Sequence, residues 1–308
     1  MMPVSSQMRF ARRRRWAAHC GLWLFFVLGF PYAGTVLWQG DGNLGHNADS
    51  AVLFCQDGKN YEISVEEYLK GSCYSLLPAD AAAEAVKAVL VLLRTNLSYY
   101  EQESCLEQAS VCYTPIWQRM RELGAYRFFR YEKEMDRLLE ELGEEQYLIG
   151  ETLCELPYFA VSAGATADGA ARAGEAYAYL TSVDSAWDVG AVNYMYIRTF
   201  SEQSIKDLLG ISGEWSTVAL QYEAQTDYVG QVVWDGGSMS AAEAAKLLEL
   251  PSTAFSFSVS DGSVRAVCLG RGHGLGLSLY GACAAADEGM TYQQILLHYF
   301  PAPSQTSE

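Results

Sequence analysis

The chain reads as an α+β protein, with mixed sheets around a long buried helix, C-terminal closing helices and one N-terminal transmembrane helix. Three observations predict this. Helical and strand-like segments interleave without the regular strand-helix period of a doubly wound sheet. Ala82, Val86, Val89, Leu93 and Leu97 recur at helical spacing within residues 78–99, and Leu90, Val91 and Leu92 widen the stripe, so this helix is covered on several sides. Residues 16–38 carry no Asp, Glu, Lys or Arg and a single histidine, His19, a run long enough at about 1.5 Å per residue to cross a bilayer.

Arg9 and Arg12 to Arg15 precede that run and are expected to hold residues 1–15 in the cytoplasm, leaving the rest extracytoplasmic on a single-pass anchor. The alternative is a cleaved signal peptide ending near Pro31 and Gly34, although the small-x-small cleavage pattern is poor there. Residues 39–50 are polar and glycine-rich and read as a tether, residues 51–301 as one extracytoplasmic domain, and residues 302–308 as a tail.

The net charge of −16 conceals a polarity. Removing the five N-terminal arginines from 21 basic residues leaves 16 against 37 acidic ones, a balance of −21. Such a surface repels phosphate backbones, which argues against a nucleic-acid partner.

Along the domain, residues 51–55 and 60–63 read as a hairpin. Ser64 and Glu67 form a capping-box pattern before a short helix through Leu69. Pro78 opens the long helix. Arg94 interrupts its apolar stripe and either snorkels to the surface or meets a carboxylate. Residues 113–142 read as a helix with a solvated, charged face. Strands are expected at 147–149, 158–162, 176–181 and 194–200, around a loop at 162–174. A second series at 218–222, 228–234, 255–259 and 264–269 encloses a helix capped by Ser240 and Glu243. The closing helices are expected to begin near Leu275 and, after Thr291 and Gln294, near Tyr292.

Seven of the eight cysteines follow the apolar run and none forms a CxxC pair. Structural thiols or one disulfide is the default reading, with no cofactor. Cys105 and Cys112 are the weak candidates for a disulfide or for zinc. His298 reads as a packing histidine and His46 belongs to the tether.

The most informative stretch is Cys268-Leu-Gly-Arg-Gly-His-Gly-Leu-Gly, where glycine at every second position from Gly270 to Gly276 brackets His273. It predicts positive φ and close backbone approach in a loop that feeds a helix. No lysine follows at a phosphate-loop offset, and the dinucleotide strand-turn-helix fingerprint is missing.

Four segments in order, VEEYLKG at 65–71, PADAAAEAVKAVLVLLRT at 78–95, VDSAWD at 183–188 and GRGHGLGLSLYGA with YQQILLHYF, resemble the stage II sporulation protein D family, the SpoIID/LytB amidase enhancers. The resemblance covers about residues 51–301. It implies binding of peptidoglycan glycan strands, lytic transglycosylase activity in active members, and two partners, a cell-wall amidase and a multi-spanning membrane protein of the engulfment machinery.

Active members of the family place a catalytic Glu two residues before a proline, in a motif like G-V-V-A-x-E-M-P. The matching stretch here runs from Gly71 to Pro78 and puts Leu76 at the acid's position. A transglycosylase needs a carboxylic acid to protonate the glycosidic oxygen, and general acid-base catalysis is worth about 10² to 10⁴-fold. The resemblance therefore implies no catalytic residue in place, with Asp80 and Glu84 the substitute candidates nearest in sequence. The family loop H-S-S-S-G-G-x-T-E is reduced here to Val161-Ser-Ala-Gly-Ala-Thr166, and Leu279 replaces the Gln of S-Q-Y-G-A. Arg94, Ser162, Gly164, Thr166, His273, Ser278 and Tyr280 survive as the substrate-binding set. Three readings follow: a glycan-binding or scaffolding member with lytic activity lost, a residual transglycosylase using a substitute carboxylate, and an ectodomain that binds only protein. Convergence of Arg94, Ser162, Thr166 and His273 on one groove would favour the first two.

Overall fold

The computed structural model describes residues 51–56, 59–102, 112–223 and 226–300. The basic tail, the expected span, the tether, Cys105 and the C-terminal tail lie outside the described residues. No helix among the described residues is long and apolar enough to cross a membrane. The described part is α+β, with helices and several small sheets, as the interleaved sequence pattern predicts.

Strands β1 (Ala51–Gln56) and β2 (Lys59–Ser64) pair as the expected hairpin. Helix α1 (Val65–Leu76) follows directly, and Ser64 Oγ accepts the Glu67 N–H at 3.2 Å, the cap that the sequence signalled. The helix runs seven residues past its expected end at Leu69. It passes through Gly71, where the missing side chain makes room for Tyr113: a Cβ there would lie 2.3 Å from the tyrosine ring.

Helix α2 (Ala83–Gln102) is the buried helix, with Ala88, Val89, Leu90, Val91 and Leu92 fully inaccessible. It starts five residues after Pro78, which lies in the connecting loop. Helix α3 (Ile116–Leu142) packs Met135, Leu138, Leu139 and Leu142 into the same core as α1 and α2. It is broken at Gly124, where φ 71° and ψ 159° leave the helical region.

Two expected strands are not strands. At 147–149 there is only an isolated bridge between Ile149 and Thr152. At 176–181 the backbone forms a 3-10 turn, Glu175–Tyr177, after the short helix α4 (Gly169–Ala173). Tyr177, Tyr179 and Leu180 pack toward the first core instead of into a ladder. Strand β3 shrinks to Tyr158–Phe159.

The second half builds two three-stranded antiparallel sheets. β4 (Met195–Ser201) leads into α5 (Glu202–Leu209); β5 (Ala219–Tyr222), β6 (Val229–Trp234) and β7 (Gly237–Ser240) pair in sequence order. Helix α6 (Ala241–Leu247) is capped by Ser240, as expected. β8 (Ala254–Ser260) and β9 (Ser263–Leu269) form a hairpin, and β9 sits between β4 and β8. These elements share a second core around Ile205, Val232, Phe255, Val264 and Ala266.

The chain then returns to the first core. β10 (Leu277–Ser278) pairs parallel with β3, and α7 (Leu279–Asp287) and α8 (Tyr292–Tyr299) cover α2. α7 begins four residues later than expected, with Ser278 as its cap. α8 begins at Tyr292 behind a complete Thr291/Gln294 capping box.

Candidate functional site

Gly270, Gly272, Gly274 and Gly276 all have positive φ, so the alternating glycines do what their spacing predicted. Gly276 shows why. With φ 75° it passes so close to the chain at Pro157 that a Cβ would lie 2.1 Å from the Pro157 carbonyl oxygen. The loop is thereby pressed against the segment that carries β3.

This packing brings together a buried polar cluster whose hub is Asp188. Its Oδ2 accepts hydrogen bonds from Ser162 Oγ (2.9 Å) and Ser185 Oγ (2.5 Å), and its Oδ1 from Ser278 Oγ (2.6 Å). Ser185 Oγ also lies 2.7 Å from the Tyr299 hydroxyl. Ser162, Ser185, Asp188 and Ser278 have no solvent access. Burial pushes the Asp188 carboxyl above its ordinary range, and the serine hydroxyls pull it part of the way back. Four distant segments are thus tied by one charged or shared-proton acceptor, a high-stakes network in a low-dielectric interior.

The sequence-predicted substrate set is dispersed. Ser162 and Ser278 serve Asp188. Thr166 is buried, its Oγ1 accepting the Val183 N–H at 2.9 Å. The Gly164 N–H donates to Ser162 Oγ at 3.1 Å. Arg94 donates to the Glu145 carbonyl at 3.4 Å; partial burial lowers its pKa, countered by Glu144 and Glu145. His273 lies at the surface with its ring 5.7 Å from Phe159, and its Nδ1 accepts the Leu275 N–H at 3.1 Å. Desolvation of its packed side holds it below the usual histidine range. Tyr280 is exposed beside Gly190. With Ser162 and Thr166 turned inward, these residues do not meet at one open groove.

One polar group near His273 carried no sequence signal. Glu155 accepts from Tyr100 at 2.8 Å and from Tyr177 at 2.6 Å, while the Tyr179 hydroxyl donates to its carbonyl at 2.7 Å. The buried Asn96 side chain pairs both ways with Leu156, fixing this segment onto α2. A tyrosine-rich stretch on its own did not reveal a shared carboxylate.

An open concavity lies elsewhere, at the end of α1. A cleft of about 550 Å³ is bounded by Leu77, Pro78 and Asp80 after α1, by Ala83 and Val86 of α2, and by Arg127, Arg130, Tyr131 and Glu134 of α3. Its floor includes Cys73, whose thiol burial pushes up to about 12, leaving it an inert hydrophobe. Leu76 stands one residue before the wall and is half-buried against the first core.

The substitute acids differ in their commitments. Glu84 accepts the Tyr292 backbone N–H at 2.8 Å and pairs with Lys87 at 3.1 Å, so it joins α2 to α8. Asp80 is exposed on the cleft wall. Among the described residues, Cys112 is a free thiol, and no group of three His, Cys, Asp or Glu side chains could hold a metal ion.

The fold is thus an α+β domain that pins a glycine-histidine loop onto a serine-aspartate hub, with a cleft at the end of its first helix. No family model matches the chain. It is 26% identical over 259 residues to stage II sporulation protein D of Bacillus subtilis (strain 168), covering 80% of this chain and 75% of that protein. It is 27% identical over 257 residues to the protein of the same name from Bacillus amyloliquefaciens, covering 77% and 73%. The chain is thus similar, at low identity and over about three quarters of its length, to two stage II sporulation D proteins.

Proposed function

We propose that this chain is a membrane-anchored sporulation protein of the cell wall that holds peptidoglycan glycan strands in the cleft beside Leu76 and does not cleave them. The observation that carries the reading is the leucine at the acid's position next to an open, mixed-polarity cleft. Leu76 has no proton to deliver to a glycosidic oxygen, and Glu84 is engaged by Tyr292 and Lys87. Asp80, Arg127, Arg130 and Glu134 supply donors and acceptors around an apolar floor, the usual make-up of a small-ligand site. Holding a strand in this way would let the protein position wall polymer for an amidase and a membrane protein of the same machinery.

The second reading is a residual lytic transglycosylase with Asp80 as acid, favoured by its exposed position on the cleft wall. The binding claim is tested by co-sedimentation of the protein with purified sacculi. The wild type is expected to sediment with them, and Ala83→Trp, which fills the cleft, is expected to reduce the bound fraction at least tenfold. Equal sedimentation of the two proteins, or none by the wild type, would remove the cleft as a glycan site.

A further inference from the structure

The outward face of α3 is unlike the rest of this acidic chain. Beyond the break at Gly124, Phe128, Met135, Leu138 and Leu142 point inward. Tyr126, Phe129, Arg130 and Lys133, at i, i+3, i+4 and i+7, therefore share the opposite face. Tyr126 is 75% exposed and Phe129 64% exposed, the latter touched at its edge by the Phe128 ring, so both are large rings mostly open to solvent.

Charge along this helix is segregated. From Ile116 to Lys133 it carries Arg119, Arg121, Arg127, Arg130 and Lys133 against Glu122 and Glu132, whereas from Glu134 onward acidic residues dominate. Arg119 is buried and bound to Glu67 and Glu132. Arg121, Arg127, Arg130 and Lys133 have no ion pair among the described residues. Unpaired cations are unexpected where the outer part of the chain holds 37 acidic residues to choose from.

From these observations we infer that the Tyr126/Phe129/Arg130/Lys133 face docks on an anionic lipid bilayer. Exposed aromatic rings flanked by basic side chains match the interfacial region, where rings insert at headgroup depth and cations meet lipid phosphates. An acidic protein would satisfy the cations but gives no separate role to two adjacent exposed rings, so the bilayer is the occupant that accounts for both. Glu140, on the same face two turns further along, marks the end of the docking stripe. Arg130 borders both this face and the cleft wall, whereas Tyr126, Phe129 and Lys133 do not line the cleft, so the inference goes beyond the glycan reading.

The test uses the full chain reconstituted in nanodiscs of phosphatidylcholine alone or mixed with phosphatidylglycerol, with amide hydrogen exchange as readout. Exchange across residues 126–133 is expected to be slower in the anionic discs, while residues 85–93 of α2 are unaffected. Arg130→Gln with Lys133→Gln should lower the docked-to-free ratio roughly twentyfold, at about fivefold per cation. Tyr126→Ser with Phe129→Ser should abolish the difference between discs, and unchanged exchange at 85–93 shows that this variant is folded. Identical exchange in both disc types would overturn the inference, as would protection produced by added polyglutamate and not by phosphatidylglycerol.

Discussion

The Glu84 carboxylate accepts the Tyr292 backbone N–H at 2.8 Å, joining the first turn of α2 to the first turn of α8 across 208 positions of sequence. A carboxylate at a helix N-terminus satisfies an otherwise unpartnered donor and meets the positive end of the helix dipole. This assigns Glu84 to the fold. Glu84→Ala is expected to cost about 1–2 kcal/mol in urea denaturation and to leave sacculus binding by the folded protein unchanged.

The Asp188 hub makes a stronger prediction. Asp188→Ala removes the acceptor of three buried hydroxyls and should destabilise by about 3 kcal/mol or more, while Ser162→Ala and Ser278→Ala should each cost about 1–2 kcal/mol. Non-additivity in a double-mutant cycle between Ser162 and Ser278 would report the shared carboxylate.

The same hub sets a pH dependence. The Asp188 pKa is raised in the fold above its ordinary 3.8, so the folded state binds this proton more tightly than the unfolded state. Its contribution is fully present below pH 3.8 and is lost as pH rises through the folded value. The stability difference between wild type and Asp188→Asn should therefore shrink as pH increases from 3.8 upward. Denaturation at a series of pH values measures it, and a difference that grows with pH would contradict the assignment.

Two glycines should respond unequally to alanine. Gly276→Ala places a Cβ 2.1 Å from the Pro157 carbonyl oxygen at φ 75°, against backbone that has no flexible end to move. It should cost about 3 kcal/mol or more, or prevent folding. Gly124→Ala meets nothing within 4 Å and bears only the backbone strain of φ 71° and ψ 159°, a glycine-favouring region, at a cost of about 1–3 kcal/mol. Thermal unfolding of the two variants separates steric from purely conformational strain.

Much of this fold was legible because its signals are local. Helical spacing in residues 82–97 announced the buried α2, and the Ser64, Ser240 and Thr291 caps stand where their sequence patterns put them. The alternating glycines announced close backbone approach. Short apolar runs were less informative: 147–149 and 176–181 have strand composition, yet Tyr177 and Tyr179 turn to Glu155 and the first core. The candidate site was the least legible part. Serine and threonine hydroxyls serve a sugar and a buried aspartate equally well, and only the approach of residues 162, 185, 278 and 299 to Asp188 distinguishes the two uses. The cleft beside Leu76 is likewise made by α3, which is remote in sequence from α1 and carried no signal of its role.

The proposed absence of cleavage rests on Leu76 standing, beside the cleft, at the position where the family resemblance puts the acid. Its most direct test is release of anhydro-muropeptides from purified sacculi by the wild type, Leu76→Glu and Asp80→Ala. The account predicts no release above blank by the wild type and measurable release by Leu76→Glu. Release by the wild type that disappears in Asp80→Ala would contradict it and identify Asp80 as a working acid.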